Sequence, residues 1–177
     1  MTDTDATTRE SSPAAWGEPR HKTIEWHDPF VTAESLAPLT GLQALEAIKD
    51  GTVAPPPIAS HFGFDITDVS AGEVRFTCAP DESAYNPIGM VHGGLVCTLL
   101  DTVIGCAVHS TLPAGVGYTS IELKVNYLRP VHSGNGGVTA HGWVTKPGRR
   151  VAFAEGEVRD SEGRLLATAS GSCLVMS

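Results

Sequence analysis

Residues 93–110 read GGLVCTLLDTVIGCAVHS, and the character of this stretch governs the reading of everything around it. Stepping about 100° per residue from Leu95 places Leu95, Val96, Leu99, Leu100, Val103, Ile104, Ala107 and Val108 within one arc of about 220°. A surface helix usually shows an apolar stripe of about 100° or somewhat more. A helix apolar over so wide an arc must be embedded. The remaining sector holds Thr98, Asp101, Thr102 and Gly105, with Asp101 at about 240°, beside the apolar border, so its carboxylate is expected to be partly desolvated. Cys97 and Cys106 lie at opposite azimuths and cannot bridge each other.

Outside this helix the periodicity changes. Residues 117–128, 136–146, 150–160 and 164–175 read as long strands separated by Gly-rich or Pro-Gly turns. Upstream, HFGFDITDV and GEVRFTCAP alternate around Ser70-Ala71-Gly72 and predict a hairpin. The order strand, strand, long helix and four strands is that of an α+β protein, an antiparallel sheet wrapped around one helix. That is the outline of a hotdog fold. Further upstream, Leu36, Leu39, Leu42, Leu45 and Ile48 recur every three positions, interrupted by Pro38 and Gly41, which predicts a helix from about Gly41 to Asp50. Ala54-Pro55-Pro56-Pro57 reads as a stiff extended connector that a helix cannot cross. Residues 1–32, rich in Thr, Asp, Ser, Glu and Pro, read as a mobile or loosely docked tail without chemistry. The expected division is a tail over 1–32, a helical extension and connector over 33–57, and the hotdog domain over 58–177.

Composition narrows the function. At 41% hydrophobic and 18% charged residues, the 177-residue chain has the makings of one globular core. A net charge of -8 argues against nucleic acid and anionic membrane surfaces as partners, so an anionic ligand would need a local basic patch. The start, MTDTDATTRE, lacks the basic and apolar regions of a secretory signal, and no apolar run approaches the ~20 residues of a membrane span. A cytoplasmic protein is expected. The four cysteines form no CxxC pair and are expected to be free, buried thiols. No GxSxG elbow, P-loop or HxxxH pair occurs, so neither a metal nor a redox cofactor is expected.

The segment Tyr85-Asn86-Pro87-Ile88-Gly89-Met90-Val91-His92-Gly93-Gly94 leads into the helix. Consecutive glycines at a loop-to-helix junction allow close backbone approach, and the first helical amides have no intrahelical acceptor. With the helix dipole added, such amides can hold an oxyanion, and Gly93 is the expected donor. Asp101 is about 12 Å further along the axis, so it cannot reach that oxyanion from its own helix. A second subunit would have to supply it.

Asn86 to Asp101, read as N-P-x-G-x-x-H-G-G with an acid seven residues later, resembles the signature of PaaI-type hotdog thioesterases of phenylacetate pathways. YTSIELKVNYLRP (118–130) and KPGRRV (146–151) extend the resemblance over roughly residues 58–175. It implies an acyl-CoA thioesterase in which two hotdogs pair with continuous sheets, with a dimer of dimers as the larger assembly. Each site would combine an oxyanion amide from one subunit with the acid of the other. It implies that Gly93 polarises the thioester carbonyl while Asp101 acts as general base or nucleophile, that Asn86 binds the water or carboxyl group, that His92 braces the loop or hydrogen-bonds near the carbonyl, and that Ser120 or Thr119 contacts the water. Gly94 would line the substrate site. Arg129, Lys146, Arg149 and Arg150 are the cations available for the phosphates of CoA. Medium-chain and aryl-acyl groups both fit. The alternatives are a hotdog hydratase or dehydratase on thioesters, and a non-catalytic acyl-CoA sensor.

Overall fold

In the computed structural model, residues 16–134 and 136–176 are described, so the first half of the expected tail lies outside them. Three short helices, α1 (Pro29–Leu36), α2 (Gly41–Lys49) and α3 (Pro57–Phe62), precede the hairpin of β1 (Phe64–Ser70) and β2 (Glu73–Cys78). A single 3-10 turn at Glu82–Ala84 leads to the long helix α4 (Gly93–His109), followed by β3 (Gly117–Tyr127), β4 (Val138–Lys146), β5 (Val151–Asp160) and β6 (Leu165–Met176). The strands form one antiparallel six-stranded sheet in the order β1-β2-β4-β5-β6-β3. The fold is a hotdog: a sheet curled around α4.

The N-terminal half departs from the sequence reading in two places. Helix α1 begins at Pro29, inside the stretch read as tail, because Asp28 caps it by accepting from the Phe30 amide and Pro29 occupies a first-turn position. Upstream of it, Lys22 pairs with Asp81 at 2.7 Å and Arg20 pairs with Glu82. Pro57 does not hold the chain extended as far as the strand; it opens α3, where its missing N–H costs nothing. Gly63, at φ 66°, ends α3 in the left-handed region, so β1 starts at Phe64 rather than at His61. Helix α2 matches its expected position and starts with a capping box between Thr40 and Gln43. Among the described residues, no helix is long and apolar enough to cross a membrane.

Helix α4 forms the centre of the core. Leu100, Val103, Ala107 and Val108 are fully buried, and each Leu or Val so placed contributes about 1.5–3 kcal/mol of transfer free energy. The sheet meets this helix at glycines. A Cβ on Gly142 of β4 would lie 2.4 Å from the Val103 carbonyl oxygen, and one on Gly156 of β5 would lie 3.2 Å from a Val103 methyl. Backbone therefore packs against backbone at the middle of α4. We expect Gly142→Ala to destabilise the fold by about 1–3 kcal/mol through this overpacking, read as a lower urea midpoint with an unchanged m-value.

Candidate active site

The loop before α4 is organised by its own side chains. Asn86 Oδ1 accepts from the amides of Ile88 (3.1 Å) and Met90 (3.2 Å), and the Asn86 amide donates to the Met90 carbonyl at 2.8 Å. Gly89 supplies the φ of 80° that this tight turn requires. The Val91 amide then donates to the Val131 carbonyl and the His92 amide to the Ala84 carbonyl, which fixes the entry of α4 against two neighbouring segments.

His92 is the N-cap. Its Nδ1 accepts from the Gly94 amide at 2.8 Å, so in the neutral ring the proton resides on Nε2. This bond has a consequence for the expected oxyanion donor. The Gly94 N–H is committed to His92, whereas the Gly93 N–H has no acceptor among the described residues. The Gly93 carbonyl is held by the Tyr127 hydroxyl at 3.0 Å, and the Tyr127 ring lies 3.2 Å from where a Cβ on Gly93 would stand. Partial burial pushes the Tyr127 hydroxyl up from its usual value, so it is a donor at neutral pH. Asn86, Met90, Gly93, Tyr127 and Arg129 line an open cleft of about 470 Å³.

Asp101 lies two turns further along the same helix, and Ser120 of β3 donates to its Oδ1 at 2.7 Å. Asp101 is exposed in the chain by itself, not partly desolvated as its azimuth suggested. In this sector β3 reaches Asp101 through Ser120, while Thr102 borders a hollow shared with α2, α3 and the β1–β2 hairpin. Tyr118 of β3 covers Gly105, where a Cβ would come within 2.9 Å of its ring, and this buries the glycine read as part of the polar sector.

A bulge in β3 lets one strand serve both ends of this face. The pairing with β6 shifts between Ser120 and Glu122, skipping Ile121. Tyr118 and Ser120 face α4 before the bulge; Leu123, Val125 and Tyr127 do so after it. Without the extra residue, Tyr127 would point to the other side of the sheet. By the same alternation Thr119 faces away from Asp101, so of the pair Thr119 and Ser120 only Ser120 meets the acid.

The cations are divided. Arg129 borders the Gly93 cleft and donates to the Leu165 carbonyl at 2.6 Å. Lys146, Arg149 and Arg150 are exposed beyond the other end of α4; Arg149 lines a hollow with Thr111, Leu112 and Pro113, and Lys146 Nζ stands 5.9 Å from the Phe153 ring centroid. The length of α4 separates this hairpin from Gly93 of the same chain. Tyr118 and Tyr127 were not among the expected site residues. Both lie within the quoted stretch 118–130, but only the bulge reveals that they share a face. Among the described residues, no group of His, Cys, Asp and Glu could hold a metal ion.

An embedded helix wrapped by an antiparallel sheet, with an opening amide that has no acceptor among the described residues and a serine-held acid on its outer face, gives a hotdog fold with a candidate active site. Comparison with known proteins agrees. Residues 88–167 match the family described as the thioesterase superfamily. The chain is 35% identical over 147 residues to a candidate esterase of Halobacterium salinarum, covering 76% of this chain and 95% of that one. It is 32% identical to acyl-coenzyme A thioesterase 13 of Mus musculus, covering 59% of this chain and 79% of the relative. In three dimensions it resembles a candidate thioesterase of Ralstonia eutropha JMP134 related to phenylacetic acid degradation, at TM-score 0.68 and 28% identity, over 73% of this chain and 98% of that one. The PaaI protein of the E. coli phenylacetic acid degradation operon shares the fold at TM-score 0.69 and 21% identity, over 78% and 94% of the two chains. The chain belongs to the thioesterase superfamily and is a thioester hydrolase.

The geometry assigns His92 a capping bond, and this has a measurable signature. His92→Ala should cost about 1 kcal/mol in chemical denaturation, whereas His92→Asn, which can also cap, should recover most of it.

Proposed function

We propose that the protein hydrolyses acyl-CoA thioesters in a site built from two chains, with the Gly93 amide of one protomer facing Asp101 of its partner. The observation that carries this reading is the separation of the two groups on one helix. The Gly93 amide, which has no acceptor among the described residues, and the acid held by Ser120 are about 12 Å apart along α4, too far to act on one carbonyl. A two-fold pairing of antiparallel α4 helices would bring each amide to the other chain's acid.

The edge of the sheet favours such a pairing. β3 is an outer strand of 11 residues, and Ile121, Tyr127 and Leu128 at and beside it are more than half exposed. A long edge with exposed apolar residues is a template for another strand. Pairing β3 with its symmetry mate would continue the sheet and shelter Asp101. The two ends of α4 would then exchange neighbours, so the Lys146–Arg150 hairpin of one chain would approach the cleft of the other, beside Arg129. That arrangement offers the phosphates of CoA a cationic rim on an otherwise acidic protein. The likeness to proteins named acyl-coenzyme A thioesterase 13 supports CoA as the thiol.

In the proposed reaction, the Gly93 N–H donates to the thioester carbonyl oxygen. Asp101, held at Oδ1 by Ser120, accepts a proton from water through its other oxygen, and the water oxygen bonds to the carbonyl carbon. The amide stabilises the resulting oxyanion. Its collapse breaks the C–S bond, and the proton passes from Asp101 to the departing CoA thiolate, leaving free acid and CoA.

Asp101→Asn should lower kcat for acyl-CoA by about 10² to 10⁴ at unchanged thermal stability, measured as thiol release. Full activity in that variant would end the assignment. Separately, Arg149→Ala combined with Arg150→Ala should raise KM for acyl-CoA with little change in kcat, and an unaltered KM would remove the hairpin from the CoA site.

A further inference from the structure

Strand β3 meets α4 at two points where a tyrosine of the strand sits on a glycine of the helix. At the start of α4 the Tyr127 ring lies 3.2 Å from where a Cβ on Gly93 would stand. About three turns further along, a Cβ on Gly105 would lie 2.9 Å from Cε2 of Tyr118 and 3.3 Å from its hydroxyl oxygen. Gly105 is buried inside α4 and does not have a positive φ, so backbone conformation does not call for a glycine there. A glycine within a helix costs about 1 kcal/mol relative to alanine. What it supplies is a notch, and Tyr118 fills it.

Two neighbours on α4 flank the ring in this notch. The His109 ring lies 5.2 Å from that of Tyr118, tilted by 34°. The Cys106 thiol meets the Tyr118 hydroxyl, and burial keeps both protonated, pushing the thiol up to about 12 and the phenol well above its usual value. The ring therefore has little room to swing aside. A side chain at Gly105 would be met by lifting the strand that carries Tyr118.

The notch lies beside the acid of the proposed site. Asp101 is one turn before Gly105 on α4, and Ser120 is two residues after Tyr118 on the same face of β3. The ladder slips only beyond Ser120, so no irregularity separates Tyr118 from Ser120, and the depth at which the ring seats is passed on to the serine. Lifting this part of β3 by about 1 Å would stretch the 2.7 Å bond from Ser120 to Asp101 out of hydrogen-bonding range.

We propose that Tyr118 is a positioning residue for Asp101: seated on Gly105, it sets the height of β3 above α4 at which the Ser120 hydroxyl reaches the carboxylate. The proposal rests on the reading of Asp101 as the acid of the reaction, and it gives a task to two residues that take no part in the chemistry themselves.

The test disturbs the notch from both sides. Tyr118→Leu removes the ring, Gly105→Ala fills the notch from the helix, and Tyr118→Phe keeps the ring without the hydroxyl. Tyr118→Leu and Gly105→Ala are made alone and in a Ser120→Ala background, and kcat and KM for acyl-CoA are measured as thiol release. Each alone should lower kcat about tenfold or more with KM nearly unchanged, since a misplacement of about 1 Å can cost as much as 10² in rate. Tyr118→Phe should restore most of the kcat lost in Tyr118→Leu. In the Ser120→Ala background neither notch variant should lower kcat further, because a residue that acts through Ser120 has nothing left to position. Equal losses in both backgrounds would overturn the proposal and leave Tyr118 a packing residue, and so would wild-type kcat in the notch variants. Either notch variant is sufficient, so failure of one to fold leaves the other to decide. A crystal structure of the folded variant should show Ser120 and Asp101 out of hydrogen-bonding range, and an unchanged 2.7 Å there would count against the proposal as heavily. Wild-type kcat in Ser120→Ala alone would instead overturn the reading of the Asp101–Ser120 pair. Failure of wild type to cleave any acyl-CoA would overturn the acyl-CoA reading, and the crystallographic distance would then decide the notch.

Discussion

Helix α4 lies on the sheet so closely that the Val103 carbonyl oxygen occupies space a Cβ on Gly142 would need. The rest of the molecule follows from this contact. Backbone-to-backbone packing at the centre of the helix leaves its sheet-facing arc fully dehydrated, and apolar residues fill that arc. With one side of α4 immobilised, the opposite side is presented at a fixed height above the sheet. Asp101 lies on that side, and Gly93 opens the helix at its near end.

The fixed height explains how one strand can hold both elements of the proposed site. β3 reaches Asp101 with Ser120 and the Gly93 carbonyl with Tyr127, and the bulge at Ile121 corrects its parity between them. At the start of α4, the two glycine amides are treated differently. His92 takes the Gly94 N–H, whereas the Gly93 N–H has no acceptor among the described residues.

The N-terminal helices extend the same logic to the other flank of α4. Gly41 permits α2 to dock against the end of α4, and Pro57 and Gly63 bracket α3 so that the chain turns back into β1. The result is a roof over an apolar space, built from α2, which the sequence predicts, and α3, which it does not.

The chain's own order of residues was enough to establish the embedded helix, the succession of strands around it, and the loop with Asn86, His92 and Gly93 that leads into it. These are local properties: hydrophobic period, turn chemistry and the missing acceptors at a helix start act over a few residues and are written in the sequence. The exposure of Asp101, the sides taken by Thr119 and Ser120, the part played by Tyr127 and the cavity beneath α2 and α3 could not be read there. Each depends on which strand borders which side of α4 and on a one-residue slip in a ladder between residues far apart in the chain, Ser120 and Cys173 among them. Burial of a polar group and the parity of a bulged strand are set by residues distant in sequence, so only the tertiary structure decides them.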